Sequence, residues 1–224
     1  MQVTTFRLQS PEYVPVGEPI FQQSDAVFRL PQLPAYAMHH SQVTLDYDLN
    51  SEIGPRQPVY HLTSDTLVLD SRCSPMFGAP SGWLTVYHNG IKDHRLLFPH
   101  IDNEALQRRL GQFAEEADNA FASQSWLSYV LMVGGVLEGL LWNEYKLRNF
   151  EKMIIAAQDA DLINKQEAEQ ITEVRNARNK IHAGRYKEPV PGRSLALDIS
   201  VTYERLLKRD WADKAESTAA AGTS

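Results

Sequence analysis

Residues 126–147 read WLSYVLMVGGVLEGLLWNEYKL, and the interpretation of this stretch decides the fold. It is the longest apolar run in the chain, but Ser128, Gly134, Gly135 and Glu138 interrupt it, so a central bundle helix is expected rather than a membrane span. Trp126, Val130, Val133, Leu137, Leu140 and Leu141 recur at helical spacing and make a wide apolar face. The helix is expected to start near Ser123 or Ser125 and to run to about Leu147. Gly134, Gly135 and Gly139 each cost a helix about 1 kcal/mol relative to Ala, a cost that makes sense where another helix packs close.

The same period extends to either side. Leu106, Leu110, Phe113, Ala117 and Phe121 define one face of a preceding helix, with Asp102 and Asn103 as candidate N-caps. Asn149 is placed to cap a third helix reaching Ala160, with Phe150, Ile154 and Ala157 inward. Asn164 followed by Glu167 fits a capping box for a fourth, expected to run to about His182, with Gly184 just past it. Ser194 is the candidate cap of a fifth, with Leu197, Val201 and Leu207 inward. Residues 213–224 are small and polar and are expected to form a disordered tail.

Ten of the twelve prolines lie at or before Pro99, and the next is Pro189. Upstream of that boundary the pattern is that of strands. Ala26 to Leu30 is one run, ended by Pro31 and Pro34. Val43, Leu45, Tyr47 and Leu49 alternate on one face, and Val59 to Leu69 alternates less cleanly. Trp83 to His88, Asn89-Gly90 and Ile91 to Phe98 read as a hairpin, because Asn-Gly supplies the positive φ that a type I′ turn needs. The expected fold class is therefore α+β: an antiparallel β domain over residues 1–100, sandwich-like or half-barrel, then an all-α bundle over 101–212.

The chain has 224 residues, 43% of them hydrophobic and 22% charged, which is ordinary globular composition. One cysteine, Cys73, excludes an internal disulfide framework and a Cys-rich zinc module. The opening MQVTTFRLQS lacks a basic-then-apolar secretory layout, so a cytoplasmic protein without membrane attachment is expected. A net charge of −6 argues against a broad nucleic-acid-binding surface but leaves room for a small basic site.

Such a site stands out at Val174 to Arg185, VRNARNKIHAGR. From Arg175 to Arg193 six Lys or Arg face one acid, Glu188. On a continuous helix Arg175 would lie about 20° from His182, Arg178 about 40° and Asn179 about 60°, whereas Asn176 would point about 120° away. Two arginines, an asparagine and a histidine would then share one stripe.

On these residues, with Leu137-Glu138 on the preceding long helix, the segment from about 103 to 210 resembles the HEPN domain family, in an uncharacterised prokaryotic branch. The hallmark of that family is an Arg, usually followed by a polar residue, with four to six residues between it and a His. Arg175, Asn176 and His182 meet it with six intervening residues; Arg178, Asn179 and His182 have three. The resemblance implies a helical bundle that dimerises through the motif helices and, in many members, a metal-independent ribonuclease of toxin–antitoxin or antiviral systems. It implies RNA as substrate, a homodimer, and an antitoxin or defence-system partner, with neither cofactor nor metal. His182 would be the acid/base group, Arg178 and Arg175 the phosphate ligands and Asn179 the orienting amide. Glu138 and Asn176 would support them, and Lys180, Arg185 and Lys187 would bind RNA. Some members of the family carry a tyrosine two residues after the His, which the antitoxin modifies; here that position is Gly184.

The chemistry is sound, because RNA carries its own nucleophile, the 2′-hydroxyl, and an imidazole exchanges protons near neutral pH. An arginine fork suits the oxygens of a phosphorane. The alternative is a catalytically silent HEPN dimer acting as a scaffold or as an RNA- or protein-binding module. A third option gives the function to the β domain, which under the first reading senses a trigger or holds a partner. Glu138, among leucines, should be partly buried and paired with Arg175 or Arg178. His39, His40, His61, His88, His94 and His100 lack zinc-ligand spacing and are expected to be ordinary strand and loop residues. Trp83, Tyr87, Tyr60 and Phe98 are expected in the core.

Overall fold

The computed structural model describes residues 1–16, 24–46, 58–69, 80–209 and 211. It divides between Leu96 and Leu97 into a β unit and a helical unit, close to the boundary the prolines suggest. The architecture is α+β, with seven antiparallel strands followed by five helices among the described residues.

In the β unit, β1 (Gln2–Leu8), β7 (Gly82–Ile91) and β4 (Tyr36–Leu45) form one sheet in the order β1-β7-β4. A second sheet has the order β2-β3-β6-β5, from β2 (Glu12–Pro15), β3 (Ser24–Arg29), β6 (Thr66–Leu69) and β5 (Tyr60–Leu62). Alternation buries one face of each: Phe6, Leu8, Val43, Leu45, Leu84 and Val86 in the first, Ala26, Phe28, Leu67 and Leu69 in the second. The Tyr60 hydroxyl donates to the Ser41 carbonyl at 2.7 Å and ties β5 to β4. Gly82 pairs with Leu45. A Cβ at Gly82 would run into the Thr44 carbonyl oxygen, so only glycine fits there. Arg7 donates to both carboxylate oxygens of Asp46, and this holds the Asp46 carboxyl below its usual range.

Three expectations for this unit are corrected. Asn89-Gly90 does not turn the chain: β7 continues through Ile91 and pairs with Tyr36. Gly90 does have positive φ, +103°, but spends it on the irregularity where the β4–β7 register shifts. There its N–H donates to His88 Nδ1 at 3.1 Å, a local bond that replaces the turn. After Ile91 the chain forms a short 3-10 turn at His94–Leu97 rather than a return strand. Trp83 is not core: it is 41% exposed, with the Arg7 guanidinium 4.9 Å from its ring centroid. Tyr47, Leu49, Cys73 and the 213–224 tail lie outside the described residues.

The helical unit comprises α1 (Glu104–Ala122), α2 (Trp126–Tyr145), α3 (Phe150–Asp159), α4 (Lys165–Asn179) and α5 (Arg193–Leu207). Asn103 caps α1, its side chain accepting from the Leu106 N–H at 3.0 Å, and Asn149 caps α3 in the same way through Lys152. Asn164 and Glu167 make the expected reciprocal capping box at 2.9 Å each way. α2 is central, packing against all four other helices. Its glycines are the points of closest approach. A Cβ on Gly134 would lie 2.8 Å from Val174 of α4, one on Gly135 2.8 Å from Phe113 of α1, and one on Gly139 would collide with Leu110. Among the described residues no helix is long and apolar enough to cross a membrane.

The inward face of α5 differs from the expected one. Leu197 and Val201 are exposed, whereas Ala196, Ile199, Thr202, Tyr203 and Leu206 are buried, and the N-cap is Gly192 rather than Ser194. Two apolar sets at helical spacing compete on this helix, and the one containing Tyr203 and Leu206 wins the core. Phe121, expected on the inward face of α1, is 36% exposed beside Trp126, and Ala114 and Ala120 take up the burial.

Candidate functional site

The basic segment is built on the last turns of α4. Val174 and Ala177 are its last fully buried side chains. Ile181, one turn after Ala177, is 50% exposed, so no apolar burial holds a further turn in place. The helix accordingly tightens, with the Lys180 N–H bonding the Ala177 carbonyl at 3.1 Å, and ends at Asn179. His182 is therefore off the helix, in an extended conformation (φ −69°, ψ 136°), and leads a 3-10 turn over Ala183–Arg185. This corrects the expectation of a helix running to His182, and the angular stripe computed for one does not exist.

The predicted site residues separate into two groups. Arg175 and Arg178 turn to different neighbours. Arg175 Nη2 donates to Glu151 of α3 at 2.8 Å, and Arg178 Nη1 bonds Glu138 of α2. Glu138 is partly buried, its side chain 33% exposed, against 49% for Arg178. Asn179 and Lys180 are half-buried, and Asn176 is exposed. The second group lies beyond the helix and is exposed throughout, from Ile181 to Val190. Within it His182 makes no side-chain hydrogen bond among the described residues. Arg185 sits 3.6 Å from Glu188, and the Lys187 ammonium lies 5.6 Å from the Tyr186 ring centroid. The segment is an exposed basic strip with a free imidazole, and the two helix arginines are anchored behind it.

Sequence reasoning missed a neighbouring feature. Glu138 and Arg178 also line a cleft of about 830 Å³ whose other charged members are Arg109 of α1 and Arg148, just past α2. The signal was present in α2, which is apolar on nearly every side, Leu131 and Met132 included. A helix of that kind is either buried all round or leaves an apolar face for something else. Among the described residues no group of three or more His, Cys, Asp or Glu side chains is arranged to hold a metal ion.

Comparison with protein-family models, with curated proteins and with solved structures finds no match to this chain.

Proposed function

We propose that the helical unit is a HEPN-type, metal-independent endoribonuclease acting in a toxin–antitoxin or antiviral defence setting, with His182 as its acid/base group. The observation that carries the reading is the exposed His182 imidazole, standing in solvent within a strip that also presents Arg185 and Lys187, with the half-buried Lys180 at its edge. In the proposed reaction His182 removes the 2′-hydroxyl proton, the 2′-oxygen attacks the adjacent phosphorus, and the bond to the 5′-oxygen breaks. The departing 5′-oxygen takes a proton from the His182 of a second copy in a two-fold dimer, leaving a 2′,3′-cyclic phosphate and a 5′-hydroxyl. Arg178 keeps guanidinium donors beyond the one given to Glu138, and these would meet phosphate oxygens. The β unit would then sense a trigger or hold a partner.

The test is incubation of the purified chain with end-labelled RNA in EDTA. Cleavage to cyclic-phosphate ends is expected, with His182→Ala slowing it about a hundredfold or more. A second reading is favoured by the engagement of Arg175 and Arg178 with carboxylates of their own chain and by the departure of His182 from the helix. In that reading the unit binds RNA or protein without cutting it. RNA retained but never cleaved, with His182→Ala binding like the wild type, would select it.

A further inference from the structure

The cleft beside the Glu138–Arg178 pair has two kinds of wall. One is apolar: Leu106 and Phe113 of α1 and Leu131, Met132 and Trp142 of α2. All five keep exposed surface, and Trp142 is 38% exposed. Apolar surface left open in this way, gathered into one concavity, marks a binding site. The glycines shape it: Gly135 and Gly139 lie in the lining, and their missing methyl groups let Phe113 and Leu110 of α1, which also line it, pack close to α2.

The other wall is cationic. Three guanidinium groups line the cleft, Arg109, Arg148 and Arg178, against one carboxylate, Glu138. Glu138 is committed to Arg178. Arg109 and Arg148 have no ion-pair partner among the described residues. In a chain of net charge −6, two unpaired arginines over an apolar trough are a local inversion of sign.

These features identify the occupant by its chemistry. We infer that the cleft binds a small amphipathic anion, with an apolar chain or ring system along Phe113, Met132 and Trp142 and a carboxylate or phosphate head held by Arg109 and Arg148. The volume, about 830 Å³, falls within the range of small-molecule sites. A second copy of the chain suits it poorly. A second copy would have to bring an acid to Arg109 and Arg148 from outside this face, because the cleft's own carboxylate, Glu138, is already engaged by Arg178. The inference does not depend on RNA cleavage, and its test reads none.

The test uses the full chain with decanoate as the probe, displacing the fluorescent amphipathic anion 1-anilinonaphthalene-8-sulfonate, with decanol as the uncharged counterpart. Saturable decanoate binding is expected, tighter than that of decanol. The Arg109→Gln/Arg148→Gln double variant should weaken decanoate at least tenfold and leave decanol unchanged. Retained decanol binding shows that the trough itself is intact in the variant. Absence of saturable decanoate or decanol binding to the wild type would overturn the inference, and so would equal decanoate affinity in the variant. A wild-type dimer that excludes the probe and is dissociated by Met132→Glu, seen by size-exclusion chromatography, would overturn it in favour of a second copy.

Discussion

The two ends of α4 carry the same kinds of group and treat them in opposite ways. At the N-terminal end Glu167 is 2% exposed. Its carboxylate accepts from the Asn164 N–H and from Arg209 at 3.0 and 3.2 Å, while its own N–H returns a bond to Asn164. Both carboxylate oxygens have partners, and the pair joins the helix start to the chain just past α5. At the C-terminal end Arg178 meets Glu138 with both side chains in contact with water, and the chain beyond is exposed. A charge pair removed from water fixes structure, because losing either partner strands the other; a pair left in water is replaceable. The first end is built to hold the bundle. The second remains open to solvent, as the proposed RNA-binding strip would require.

Substitutions should grade along that contrast. Glu167→Ala leaves the Arg209 guanidinium without its carboxylate and opens the capping box, and should cost about 3 kcal/mol or more. Asn164→Ala removes one capping bond and should cost about 1 kcal/mol. Glu138→Gln should cost less than about 1 kcal/mol, and the difference should fade as salt is added. Urea midpoints followed by helical circular dichroism rank the three. A Glu138→Gln penalty equal to that of Glu167→Ala would break the comparison. A Glu138→Gln variant of unchanged stability and altered RNA handling would sharpen it, by separating the function of the open end from its stability.

What could be read from the sequence follows from how local the cause is. The caps at Asn103, Asn149 and Asn164 were legible because each acts on backbone three residues away. The close approaches at Gly134, Gly135 and Gly139 were legible as places, since a glycine in an apolar helix needs a reason, but not as partners. Gly90 was legible as a positive φ and not as its use, because a turn and a bulge need the same dihedral and only the distant pairing with β4 chooses between them. The face of α5 depended on which of two apolar sets the other helices would accept. His182 was identifiable, but its placement was not. The helix beneath it stops for want of burial at Ile181, which is a property of the assembled bundle. The Glu138–Arg178 pair follows from a partly buried carboxylate's need of a partner; the arginine cleft beside it needed α1 and α2 side by side.

The three glycines of α2 also bear on attempts to stabilise the protein. Exchanging glycine for alanine inside a helix is a common route to a higher melting temperature, and on propensity alone each of these sites would be an attractive target. Here the missing methyl groups are the space into which Val174, Phe113 and Leu110 fit. A thermostability campaign guided by helix preference would force those three side chains to shift within the contacts of α2 with α1 and α4, so the gain in propensity is set against repacking.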